Sequence, residues 1–200
     1  NKNNAILIFC STNAVFYGNL APYDESSLPL PINEYGRHKC IAERIVMATN
    51  NYLIFRLILL YGWNYHARHN PVTMVIEELK NNKKMYMVKG ASYINPLYVK
   101  NACEGIISAI KKEKNKEIYH LGGGDIVDRY ELAIKTAEIF NLNKELIIPV
   151  NDDYYKMLSP RPYNTSYSTL KAQKELDFNA ISLYDGLNKM KEEGYEKGII

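Results

Sequence analysis

The sequence holds only three cysteines, Cys10, Cys40 and Cys103, and none are in C-x-x-C spacing. That argues against a disulfide framework and a thiolate zinc site, and it makes a reducing cytoplasm the expected compartment. Cys10 stands in an apolar run and is expected to be a small buried hydrophobe. The four histidines show no metal-ligand spacing; His66 and His69 read as solvated loop residues, and no metal is expected. No apolar run reaches the roughly 20 residues that span a bilayer, and no signal peptide is visible, so no membrane partner is expected. Strong charge of either sign is also missing. The net charge is +3, and the lysines between Lys80 and Lys84 and between Lys111 and Lys116 fall at expected helix ends, where cations suit the dipole. They read as solvated faces, with no nucleic acid expected. Two further absences matter below: the chain begins with Asn1, and no G-x-x-G-x-x-G turn follows its first apolar run.

The pattern that is present alternates. "AILIFCST" (5–12) has no polar interruption before its end and predicts a strand buried on both faces of a parallel sheet. A long Gly-, Pro- and Ser-punctuated loop follows. "EYGRHKCIAERIVMATN" (34–50) predicts an amphipathic helix with Ile41, Ile45 and Val46 on one side. "NYLIFRLILLYG" (51–62) predicts a second buried strand, which completes a βαβ unit. Further on, the sequence predicts a proline-opened helix at 71–82, a short strand or hairpin arm in "KMYMVKG", and a helix at 96–113. A sheet strand follows at 117–124, then a helix at 128–142 capped by Asp128, a short strand "ELIIPV" and two terminal helices. This is an α/β order.

Tyr35 and Lys39 stand four positions apart, on one face of the predicted helix. A phenol titrates near pH ~10, and a neighbouring ammonium favours its ionised form. A tyrosine assisted in this way exchanges a proton with a carbonyl or alcohol oxygen. Spacing alone is weak evidence, since this pattern arises often by chance. Position adds to it. Ser11 and Thr12 end the first strand, and open parallel sheets place their ligands at the carboxyl ends of strands. A Thr12 hydroxyl there either meets the same substrate oxygen or caps a turn.

"STNAVFYG", "PINEYG" with Lys39 following, "FRLILLYG", "YINPLYVKNACEGI" and "RPYNTSYSTLKAQKELDFNAISLYDGL" occur in this order. The series resembles the extended short-chain dehydrogenase/reductase family over nearly the whole chain. Within it, the series is most similar to dTDP-4-dehydrorhamnose reductases, through Thr12, Phe16, "PINEYG" and "RPYN". The resemblance implies the C-terminal part of a Rossmann-type parallel sheet with a smaller α/β substrate-binding lobe. The partial dinucleotide-binding domain would comprise 1–62 and 94–124, and the substrate lobe 63–93 and 125–200. It implies Tyr35 as the proton donor, Lys39 as its electrostatic aid and a ribose contact, and Thr12 orienting the sugar oxygen. Ser11, Leu59 and Tyr61 would line a nicotinamide pocket for NAD or NADP. Arg161 would pair with the diphosphate of a nucleotide sugar, with Asn95 a further substrate contact.

Asn13 and Ala14 stand where the family's 4,6-dehydratases carry Asp-Glu, which speaks against a dehydratase; the reductases' Asp after Thr is missing as well. The implied activity is reduction of a 4-keto nucleotide sugar, with 4-epimerisation as the alternative. A different class is a non-catalytic subunit resembling the beta subunit of methionine adenosyltransferase. The missing glycine-rich turn implies that a first mononucleotide-binding half, on the order of ninety residues, lies outside this sequence. A longer chain or a second chain would supply it, a homodimer is also possible, and a non-functional truncated product is the remaining reading. "LGGGD" (121–125) comes after the Tyr–Lys helix and is expected to begin a crossing into the other lobe rather than to cradle phosphate.

Overall fold

The computed structural model describes residues 5–64, 68–155 and 159–200. Its centre is a parallel sheet in the order β1 (Leu7–Thr12), β2 (Tyr52–Leu57) and β6 (Glu117–Leu121). β1 and β2 run in register from Leu7 opposite Tyr52 to Thr12 opposite Leu57. Between them lies α1 (Glu34–Met47), the crossover expected from the βαβ pattern. The sheet's core gathers Phe16, Leu53, Phe55, Tyr119, Leu121 and Leu176.

The expected strand 51–62 is divided. β2 stops at Leu57, and the chain resumes as β3 (Leu60–Tyr61), which pairs in parallel with β5 (Leu97–Tyr98) outside the main sheet. Periodicity cannot show this break, because both pieces are apolar and buried. β5 leads directly into α3 (Val99–Lys111), so the helix expected from 96 starts three residues later. α2 (Pro71–Lys80) begins at an Asn70 cap whose side chain accepts from the Val72 and Thr73 amides. β4 (Met85–Val88) pairs in parallel with β7 (Ile147–Val150), so "KMYMVKG" is no hairpin arm. α4 (Arg129–Ile139) begins at Asp128 in a reciprocal capping box with Glu131. α5 (Leu170–Leu176) and α6 (Leu183–Glu196) close the chain.

Two burial expectations are corrected. Cys10 is exposed, as are Leu7 and Ile8, because β1 is the outer strand of the sheet and only its last two residues are covered. On α1, Val46 is buried, but Ile41 is 54% exposed and Ile45 66%. The inward face of that helix carries Gly36 and Glu43 instead.

Gly36 sets how near α1 approaches the strand end. A Cβ there would overlap the Ala14 carbonyl oxygen and stand 2.8 Å from Pro31 Cβ. The glycine lets the helix start lie against the turn that follows Thr12. Gly36→Ala is expected to lower unfolding free energy by about 1–3 kcal/mol, the usual cost of overpacking, as measured by urea denaturation.

Candidate active site

Thr12 ends β1, and its hydroxyl accepts from the Ala14 amide at 3.2 Å. It therefore caps the 3₁₀ turn Asn13–Val15, and it is buried. α1 starts from Asn33, whose side-chain oxygen accepts from the Gly36 amide at 2.9 Å. Tyr35, in the first turn, is 56% exposed. One turn on, the Lys39 ammonium donates to the Cys10 carbonyl at 2.9 Å and lies 4.8 Å from the centre of the Phe9 ring. Lys39 is thus tied to the carboxyl end of β1, and the Gly36 contact puts the residue after Tyr35 against Ala14. Among the described residues no hydrogen bond joins Thr12, Tyr35 and Lys39 directly. They share one end of one strand, with the Tyr35 side chain open to a ligand.

Beneath them lies a buried polar network. Glu43 falls four residues after Lys39 on the inner side of α1; it is 2% exposed, and Arg56, the residue before the last of β2, is 3% exposed. Arg56 donates from Nε to Glu43 Oε1 at 3.1 Å and from Nη2 to Oε2 at 2.8 Å. The Ser11 hydroxyl donates to the same carboxylate. Arg56 Nη1 lies 3.3 Å from His120 Nε2, and His120 Nδ1 lies 3.0 Å from the Tyr23 carbonyl oxygen. Only the neutral imidazole with its hydrogen on Nδ1 satisfies both contacts. Burial, and then the Arg56 charge, pull the His120 pKa down to about 3. Burial also raises the carboxyl pKa of Glu25, which accepts from the His120 amide. Ser11 is therefore a strut between β1 and α1.

A second tie comes from the far end of the sequence. Asn33 Nδ2 donates to the Pro160 carbonyl at 3.2 Å. Asn164 N donates to Gly18 O at 3.1 Å, Asn13 Nδ2 to Thr165 Oγ1 at 2.6 Å and Tyr23 N to Ser166 O at 2.9 Å. The segment "RPYNTSY" thus runs along the loop that follows Thr12 and brings Arg161 beside the start of α1. Arg161 is exposed and lines a cavity of about 770 Å³ with Arg68, Arg129, Tyr86 and Tyr155. The cavity's lining does not include Thr12, Tyr35 or Lys39.

Three expected contacts are placed elsewhere. Asn95 is 2% exposed, and its amide is used within the protein: Nδ2 donates to the Gly123 and Tyr167 carbonyls, and Oδ1 accepts from the Tyr167 amide. It is a staple within the core. Tyr61 is 1% exposed, with its hydroxyl against Gly186 of α6, and Leu59 packs between two core clusters. Tyr61 lies on β3, which pairs outside the main sheet, and Leu59 precedes it half-buried. A Cβ at Gly122 would meet the Asn95 side chain, and one at Gly123 the Pro96 carbonyl, so "LGGGD" is tight packing and no phosphate cradle. His69 lies 2.9 Å from Glu77, while His66 lies outside the described residues. Among the described residues no group of three or more His, Cys, Asp or Glu is placed to hold a metal, and no helix is long and apolar enough to cross a membrane.

The family model for the RmlD substrate binding domain matches residues 1–195. The chain belongs to this family. It is similar to methionine adenosyltransferase 2 subunit beta of Xenopus laevis, at 29% identity over 175 residues, covering 85% of this chain and 52% of that protein. Human dTDP-D-glucose 4,6-dehydratase is 28% identical over 174 residues, covering 84% of this chain and 49% of that one. Among solved structures, dTDP-4-dehydrorhamnose reductase from Bacillus anthracis, in complex with NADP, superposes with a TM-score of 0.87 at 26% identity. That match covers 94% of this chain and 66% of the reductase. The chain spans about half the length of the curated relatives it matches.

Glu43, Arg56, His120 and Arg129 were not among the expected site residues. Arg56 carried a readable signal: an arginine amid "YLIFRLILL" requires a buried partner. Glu43→Gln should leave Arg56 charged and unpaired, lowering unfolding free energy by about 3–5 kcal/mol, while the double variant Glu43→Gln/Arg56→Met should recover most of that loss in urea titrations. The His120 shift gives a second outcome. The unfolded imidazole takes up a proton as pH falls below about 6.5, while the folded one resists until about 3. Stability should therefore fall with decreasing pH by up to about 1.4 kcal/mol per unit below 6.5. His120→Gln should flatten that slope between pH 7 and 5.5, read as melting temperature against pH.

Proposed function

We propose that this chain is the catalytic and sugar-binding portion of a nicotinamide-dependent oxidoreductase that reduces the 4-keto group of a nucleotide sugar. One observation carries the reading. Thr12 at the end of β1 and Tyr35 and Lys39 one turn apart on α1 come to the carboxyl end of that strand, with Lys39 tied to the Cys10 carbonyl and the tyrosine open. A bound nicotinamide supplies hydride in such a reduction. Tyr35 gives its phenolic proton to the substrate oxygen as that oxygen gains charge. Lys39 stabilises the phenolate left behind and would hold the nicotinamide ribose. Thr12, already a cap, offers its remaining hydrogen-bonding capacity to the sugar oxygen. Arg161 takes the diphosphate.

The fit to a dinucleotide is partial. Tyr35 and Lys39 would meet its nicotinamide end, whereas the glycines near β6 are packed against Asn95 and Pro96. A phosphate cradle would come from additional sequence pairing with the bare edge of β1, in a longer chain or a second one. NADP is the first cofactor to test, since the similar Bacillus anthracis reductase was crystallised with it. The proposed division, 1–62 and 94–124 against 63–93 and 125–200, is supported by the sheet β1–β2–β6 lying in the first set and β4–β7 in the second. A 4-epimerase would use the same residues.

A second reading, a non-catalytic subunit, is favoured by the curated similarity to methionine adenosyltransferase 2 subunit beta. The test is turnover of the protein at its native full length with 4-keto nucleotide sugars and NADPH or NADH. Net cofactor oxidation that falls about 100- to 10,000-fold in Tyr35→Phe is the expected result. Interconversion without net oxidation would mean epimerisation. Full biological activity in Tyr35→Phe would favour the subunit reading.

A further inference from the structure

The Thr12 hydroxyl has one proton to give and two lone pairs to offer. The Ala14 amide takes one lone pair at 3.2 Å. The proton goes to Asn13 Oδ1 at 3.3 Å. That is well beyond the ~2.7–2.8 Å usual between two oxygens, so the bond is weak. One lone pair is left over.

Asn13 is held far more firmly at its other end. Its Nδ2 donates to Thr165 Oγ1 at 2.6 Å, across a separation of 152 residues. Thr165 is 3% exposed, and its backbone is pinned. Its own amide donates to the Tyr93 carbonyl at 3.0 Å. On either side, Asn164 N donates to Gly18 O at 3.1 Å, and Ser166 O accepts from Tyr23 N at 2.9 Å. The Asn13 carboxamide therefore has one end fixed to the "RPYNTSY" segment and the other resting on the Thr12 hydroxyl.

We infer that Asn13 is a positioning residue: anchored on Thr165, it holds the Thr12 proton loosely, so that Thr12 donates to a keto oxygen and then accepts from the alcohol that replaces it. This rests on the reading in which Thr12 meets the reacting oxygen. An unheld hydroxyl rotor would present its proton and its lone pairs in turn, and a tightly bonded one would not release its proton. The long bond lies between these extremes. Breaking it lets the proton face a keto oxygen at small cost. Once Tyr35 has protonated that oxygen, the Thr12 proton returns to Asn13 Oδ1, and the spare lone pair accepts the new O–H. Thr12 itself transfers no atom. The carboxamide suits this task because it carries a donor for Thr165 and an acceptor for Thr12 in one plane. A carboxylate would bridge the same two hydroxyls as an acceptor for both.

The experiment is steady-state turnover of the full-length protein with dTDP-4-dehydrorhamnose and with UDP-linked 4-keto sugars, using NADPH. The variants are Asn13→Ala, Asn13→Asp, Thr165→Val and the double variant Asn13→Ala/Thr165→Val. Asn13→Ala and Thr165→Val should each lower kcat about 3- to 10-fold, with the KM for NADPH within about twofold of wild type. Asn13→Asp should recover most of the loss. The double variant should be no more than about twofold slower than the slower single one, since both changes break one linkage. A normally melting Asn13→Ala with wild-type kcat, alongside a slowed Thr12→Val, would overturn the positioning role and leave the reading of Thr12 intact. Fully additive losses would also overturn it, because the two residues would then act independently. So would a lowered kcat that comes with a raised KM for NADPH and a lowered melting temperature, which marks a structural role. A wild type that turns over none of these sugars would overturn the underlying reading and the proposal with it.

Discussion

The Glu43–Arg56 pair is the joint on which the proposed active site depends. A carboxylate on a helix and a guanidinium on the central strand of a parallel sheet are both withdrawn from water, so each is tolerable only with the other in place. Their two hydrogen bonds fix α1 against β2 in rotation and in height. Ser11, bonded to the same carboxylate, adds β1. His120 extends the network to β6 and, through the Tyr23 carbonyl, to the loop after Thr12. Every strand of the main sheet thereby contributes one polar group to a single network beneath Thr12, Tyr35 and Lys39.

Above that joint, position is set by close approach. Gly36 lets the helix start meet Ala14, and Lys39 reaches back to the Cys10 carbonyl. Asn33 serves both sides of the site: its oxygen caps α1, and its nitrogen holds the Pro160 carbonyl. The "RPYN" segment is consequently part of the site's architecture. A network this rigid below and an open tyrosine above suit chemistry in which a proton donor must be held while substrate and cofactor exchange.

The outer surface of β1 and α1 has the opposite character. Leu7, Ile8, Ile41 and Ile45 are exposed, and β1 pairs on one side alone among the described residues. A long apolar parallel strand is seldom left as an edge. The chain spans about half the length of the curated relatives it matches and two thirds of a solved reductase.

Local chemistry determined much of this from the sequence alone. An unbroken apolar run, a helical repeat and a second run make a βαβ unit; Asn70 before Pro71, and Asp128 three before Glu131, open helices; Tyr35 and Lys39 must share a helix face. Each depends on residues within a turn or two of one another. Tertiary structure decided the rest. Ile41 and Ile45 match the periodicity of a buried stripe and still face outward, because burial depends on what packs opposite. Tyr61 and Asn95 carry the chemistry of a binding site but lie in the core, where β3 diverges from the sheet and Asn95 staples Gly123 to Tyr167. Glu43, Arg56 and His120 join across separations of 13 and 64 residues, and Arg129 and Arg161 share a cavity wall only because α4 and the "RPYN" segment both line it. A charge within an apolar strand announces that it needs a partner, but the fold chooses which distant residue comes close enough to supply it.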